Sequence, residues 1–85
     1  DGNLHPLVLY DGREAGALDR AEELAGEIIR MCIRYGGSVT GEHGIGREKR
    51  AFIHKEIDDN TLTIMKSIKT LFDPNHILNP GKIFP

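Results

Sequence analysis

Tryptophan is absent from these 85 residues, and cysteine occurs once, at Cys32. A single cysteine excludes an internal disulfide framework and a thiolate metal cluster, and makes a reducing, intracellular setting the simpler expectation. No run approaches the ~20 consecutive apolar residues of a membrane-spanning helix. The N-terminus carries no signal-peptide apolar segment. Excess positive charge is lacking too, since 11 Lys and Arg face 13 Asp and Glu for a formal net charge of -2. A phosphate-backbone binder needs a basic patch to release counterions, which argues against nucleic acid as the main partner. Internal repeats and low-complexity tracts are also missing.

What is present suits a folded chain: 39% hydrophobic and 28% charged residues, too apolar for a disordered segment. The length sets a ceiling of one domain, because a chain this short buries only roughly 60% of the surface its unfolded form exposes. The opening Asp1-Gly2-Asn3, without a methionine, reads as the start of a piece cut from a longer protein.

Leu7-Val8-Leu9-Tyr10 is a short β-prone run bounded by Pro6 and Asp11-Gly12, and is expected to be a buried strand ending in a turn. From about Leu18 to Tyr35 the apolar positions Leu18, Ala21, Ala25, Ile28, Cys32 and Tyr35 recur at helical spacing. Acids near the start, Arg30 and Arg34 near the end and Gly36-Gly37 beyond suit the helix macrodipole and a left-handed C-terminal cap. Arg47 to Lys55 is expected to manage a couple of turns. A second long helix is expected from about Asn60 to Phe72, capped by Asp58 or Asp59 and stopped by Asp73-Pro74. Cys32 and the five aromatic residues are read as packing groups, and His54 and His76 as exposed.

The stretch Gly36 to Gly46, GGSVTGEHGIG, holds five of the ten glycines and places Glu42 beside His43. Its composition suits a binding loop or, equally, a plain surface connection. Gly41 and Gly46 are spaced as in a phosphate loop. Arg47 and Glu48, however, stand where that chemistry needs Lys and Ser or Thr, and a glutamate repels phosphate. A dinucleotide fingerprint fails at Lys49, where its third glycine belongs. His5, Glu42 and His43 are residue types that can hold a divalent ion. Adjacent residues seldom reach one ion, so Glu42 as ligand with His43 as a base beside it is the more economical division.

Three motifs in order carry a resemblance along the whole chain: DGNLHP at Asp1–Pro6, GGSVTGEHGIG at Gly36–Gly46, and FDP at Phe72–Pro74 followed by ILNPGK at Ile77–Lys82. Together they resemble the C-terminal portion of the FAD-linked oxidases of the vanillyl-alcohol oxidase type, among them glycolate oxidase and D-lactate dehydrogenase. The resemblance implies an FAD-dependent 2-hydroxy-acid oxidoreductase, with glycolate or D-lactate as substrate. It implies His5 and Glu42 as ligands of a divalent metal such as Zn or Mn, His43 as the base for the hydroxyl proton, and Asn79 near the flavin. A further histidine ligand is expected seven positions before His5.

The expected fold is α+β, the C-terminal part of a ferredoxin-like substrate domain over residues 1–85, with two long helices and a short strand. The flavin-binding domain is expected in the rest of the protein, so the 85 residues alone are expected neither to bind FAD nor to turn over. Expected partners are a small 2-hydroxy acid, the chain's own flavin domain, other oxidase subunits and, through exposed apolar faces, a second copy. A cytoplasmic location is expected, with any membrane association made through partner subunits. The reading from a different class is a non-catalytic helical interaction module in which Glu42 and His43 are incidental.

Overall fold

The computed structural model describes residues 1–85. It contains helix α1, Ala17–Arg34; a 3-10 turn, Arg50–Phe52, running into the short helix α2, Ile53–Glu56; and helix α3, Asp59–Phe72. Their ends follow local chemistry. At the C-terminus of α1, Gly36 takes φ 79°, its N–H donates to Ile33 O at 2.9 Å and that of Gly37 to Cys32 O at 2.8 Å, the double bond of a Schellman cap. A Cβ on Gly37 would stand 2.9 Å from that same Cys32 oxygen, so the cap leaves no room for a side chain. Between the two candidates for the α3 cap the structure chooses Asp58, whose carboxylate accepts from Thr61 N at 2.9 Å and Thr61 Oγ1 at 3.0 Å.

The expected strand does not form, and the fold is helical rather than α+β or ferredoxin-like. Leu7–Tyr10 runs without a ladder: no backbone group of residues 1–10 bonds to another backbone segment. Leu9 is 92% exposed. The physical reason is that β-propensity describes how a side chain fits a pleated surface, while a strand exists only when a second edge takes up its N–H and C=O groups. These 85 residues supply no such edge.

The core is small. Ala17, Ala21, Val39, Ile53 and Leu62 are its buried apolar residues, and Ile53 is the most enclosed at 1% exposure. Phe52 bridges α1 to the α2 region: its ring edge lies 3.2 Å from where a Cβ on Gly26 would stand, and the Arg30 guanidinium is 5.9 Å from its centroid. The long helices do not pack along each other. Tyr35 and Phe72, expected as packing groups, are 87% and 78% exposed, and Cys32 is half-buried. The radius of gyration is 15.2 Å, against about 12 Å for a compact chain of this length. No helix is long and apolar enough to cross a membrane.

Asp73 does more than stop α3. It is 3% exposed, and its carboxylate accepts from Ile77 N at 3.0 Å, Leu78 N at 3.1 Å and the Lys69 ammonium. Lys69 Nζ also donates to Leu78 O at 2.9 Å. The Lys69 ammonium, with help from the two N–H groups, holds the Asp73 carboxyl below the ordinary aspartate value, although burial pushes the other way. A depressed folded-state value means that this clasp stabilises the fold fully above the ordinary aspartate range and is lost as pH falls through the depressed one. In an acid titration followed by NMR, the Ile77 and Leu78 amides should therefore move at a pH below that of an ordinary aspartate. Movement at the ordinary value would contradict the clasp.

Candidate functional site

The loop after α1 is shaped by small residues and two side-chain bonds. Val39 is buried and its N–H donates to Glu56 Oε2 at 2.7 Å, tying the start of the loop to the end of α2. Thr40 Oγ1 accepts from Gly44 N at 2.8 Å, which closes the turn that carries Glu42 and His43. Gly44 takes φ 79°, a conformation glycine adopts without steric cost.

The N-terminal segment lies against this turn. Asn3 Nδ2 donates to Glu42 Oε1 at 3.4 Å. A Cβ on Gly41 would come within 2.2 Å of Asn3 Oδ1, so the Asn3 side chain occupies the space beside Gly41. The rings of His5 and His43 meet edge to face, with centroids 5.3 Å apart at 70°. His43 Nε2 and Glu42 Oε2 are 3.8 Å apart, beyond hydrogen-bond reach, and both side chains are more than half exposed. They are neighbours with separate freedom, not a bonded dyad.

His5, Glu42 and His43 thus line one open cleft of about 330 Å³, with Asn3, Thr40 and Lys49 among its other walls and Ile28 and Ile29 of α1 at its side. Asn79 is elsewhere. With φ 45°, it lines a separate cleft of about 350 Å³ with Lys66, His76, Lys82 and Phe84. His54 and His76 are exposed, as expected. Asn3, Thr40 and Lys49 join the site without a composition or spacing signal of their own, although Asn3 lies inside DGNLH.

These residues alone do not complete a metal site. A catalytic divalent ion commonly takes three protein ligands, and nowhere do three or more His, Cys, Asp or Glu side chains converge so as to hold one. The expectation of Zn or Mn at His5 and Glu42 is therefore unsupported by these residues, which share a cleft without forming a ligand cage. Neither open cleft would enclose a dinucleotide the size of FAD. Gly44 and Gly46 nonetheless present backbone with open space where a side chain would stand, a surface that a planar ring can approach closely.

Against this geometry, the comparison with known proteins is decisive for the family. The model of "FAD linked oxidases, C-terminal domain" matches residues 1–83. The chain belongs to the FAD-linked oxidase family. It is 48% identical over its whole length to the glycolate oxidase subunit GlcD of Escherichia coli (strain K12), where those 85 residues are 17% of the relative. It is 42% identical over 84 residues to GlcD of Bacillus subtilis (strain 168), covering 99% of this chain and 18% of that one. To the mitochondrial D-lactate dehydrogenase (cytochrome) of Arabidopsis thaliana it is 38% identical over 85 residues, all of this chain and 15% of that one. The FAD-linked oxidase chain thus spans less than a fifth of the length of these relatives. No solved structure matches it.

Proposed function

We propose that this chain forms the proton-accepting wall of the active site in an FAD-dependent 2-hydroxy-acid oxidoreductase, with glycolate or D-lactate as substrate. The observation that carries the reading is the meeting of His5, Glu42 and His43 across 38 residues of sequence in one cleft that is open to a small acid, in a chain whose relatives are named for glycolate and D-lactate oxidation. Oxidising a 2-hydroxy acid at C2 removes the C2 hydrogen as a hydride and the hydroxyl hydrogen as a proton. When bound, FAD supplies the hydride acceptor.

The residues of this chain have the remaining tasks. The exposed His43 imidazole accepts the hydroxyl proton. Its position on a turn closed by Thr40 and edged by His5 limits the directions from which a hydroxyl can approach. Lys49, the only Lys or Arg lining the cleft, offers a cation for the substrate carboxylate. Glu42, held by Asn3, keeps an anion at the cleft edge. No step is routed through a metal. Asn79 belongs to the flavin side in this proposal, through its own cleft. The exposed Leu7, Leu9, Ile64 and Leu71 fit a chain that docks against its own flavin domain or against other oxidase subunits. The location proposed is cytoplasmic, with any membrane association made by those subunits.

The test compares the full-length protein with the 85-residue chain, each supplied with FAD, glycolate or D-lactate and an electron-accepting dye. Dye reduction dependent on one of the two hydroxy acids is expected from the full-length protein, and neither saturable flavin binding nor turnover from the chain alone. A full-length, FAD-loaded protein inert to both acids contradicts the substrate class.

A further inference from the structure

One backbone hydrogen bond joins segments far apart in sequence: Ile83 N–H donates to the Gly46 carbonyl at 2.7 Å. Every other backbone bond outside the helices spans five residues or fewer, so this contact alone ties the backbone of the C-terminal tail to the glycine-rich loop. Ile83 makes it with φ 66°, a left-handed conformation in which a β-branched residue is an outlier. His76 and Asn79 have positive φ as well, so all three non-glycine residues of this kind lie downstream of Asp73. Such conformations persist only where the surroundings over-determine them.

Here the surroundings do so from both sides of Ile83. Upstream, the buried Asp73 carboxylate holds the Ile77 and Leu78 N–H groups, and Lys69 bonds both that carboxylate and the Leu78 carbonyl. Downstream, the Lys66 ammonium of α3 lies 5.9 Å from the centroid of the Phe84 ring. The tail is thus fixed to α3 at two points, and between them it presents one N–H to the loop. Gly46 is three residues from His43, and no other group stands within 4 Å of where its side chain would be.

We infer that the tail from Asp73 to Phe84 is a strap that positions the loop carrying Glu42 and His43, with Ile83 as the positioning residue acting through its N–H on Gly46. The inference rests on the reading of that loop as the proton-accepting wall. It makes the accuracy of His43 depend on a residue that touches no substrate.

The experiment uses the full-length enzyme and two substitutions at Ile83, a partly exposed position where neither empties the core. Ile83→Pro removes the N–H and cannot adopt a positive φ, whereas Ile83→Gly keeps the donor and accepts that φ freely. In Ile83→Pro, hydrogen exchange across Thr40–Gly46 should quicken, and kcat/KM should fall by about 10- to 100-fold, as a displaced reacting group entails. Ile83→Gly should stay near the parent in both readouts. Placed on His43→Asn, Ile83→Pro should cost nothing further, because both changes act through one group.

Unchanged exchange and turnover in Ile83→Pro overturns the strap. So does equal damage from Ile83→Gly, and so does an undiminished loss in the His43→Asn background. If His43→Asn itself leaves turnover intact, the proton-acceptor reading fails, and the exchange comparison alone decides whether the strap exists.

Discussion

His43→Asn in the full-length enzyme is expected to lower kcat by about 10²- to 10⁴-fold, the range for removing a positioned general base, while FAD content stays at the parent level. Asparagine keeps roughly the bulk and polarity of the imidazole but cannot accept a proton, so the change tests chemistry more than shape. The loop tolerates it structurally, because the His43 side chain is 67% exposed and only the neighbouring Gly44 N–H is bound into the turn. Glu42→Gln should be milder, since Glu42 is 3.8 Å from the imidazole and not bonded to it. A loss of FAD in His43→Asn would move His43 from proton acceptor to cofactor support. Unchanged turnover would favour the non-catalytic module.

The second large effect is on stability. Ile53→Ala is expected to cost about 2–5 kcal/mol, the range for truncating a fully buried isoleucine to alanine, because Ile53 is the most enclosed of only five buried apolar residues. A loss of that size is a large share of the 5–15 kcal/mol that whole domains typically possess. Leu9→Ala is the control. Leu9 is 92% exposed, and surface changes of this kind usually stay within about 0.5 kcal/mol. Guanidinium melts of the two variants in the 85-residue chain, where no docking partner covers Leu9, should separate clearly, with the Ile53→Ala midpoint far below the parent and the Leu9→Ala midpoint on it. Equal midpoints would mean that the core has been misplaced.

The contrast between Ile53 and Leu9 also shows where sequence patterns carry information. Both long helices were legible, because helical periodicity and end signals are local: Gly36 takes the left-handed cap, Asp58 caps α3, and Asp73-Pro74 ends it. The strand at Leu7–Tyr10 was not, since its four residues have the right propensity and no second edge to bond. Tyr35 and Phe72 continue the apolar spacing of their helices but face solvent, because spacing identifies a stripe without saying what covers it.

At the site, spacing alone could not unite His5 with His43. The resemblance of three motifs to the FAD-linked oxidases implies His5 and Glu42 on one metal with His43 as a base beside them; what the structure adds is the edge-to-face contact of the His5 and His43 rings at 5.3 Å. The metal expectation came from the same resemblance and lacks a converging ligand set in these residues. Asp73 was legible only as a helix stop. Its role as a buried hub depends on Lys69 four residues earlier and on N–H groups four and five residues later, partners that any pattern of apolar residues passes over.

Whether this chain supplies the group that takes the hydroxyl proton is decided by anaerobic single-turnover flavin reduction. Mixing FAD-loaded full-length enzyme with glycolate or D-lactate, the proposed substrates, and following flavin bleaching isolates the chemical step from reoxidation and product release. Bleaching in His43→Asn is expected to be slower than in the parent by about 10²- to 10⁴-fold at saturating substrate. Bleaching at the parent rate, in a variant that binds FAD and substrate normally, would contradict it.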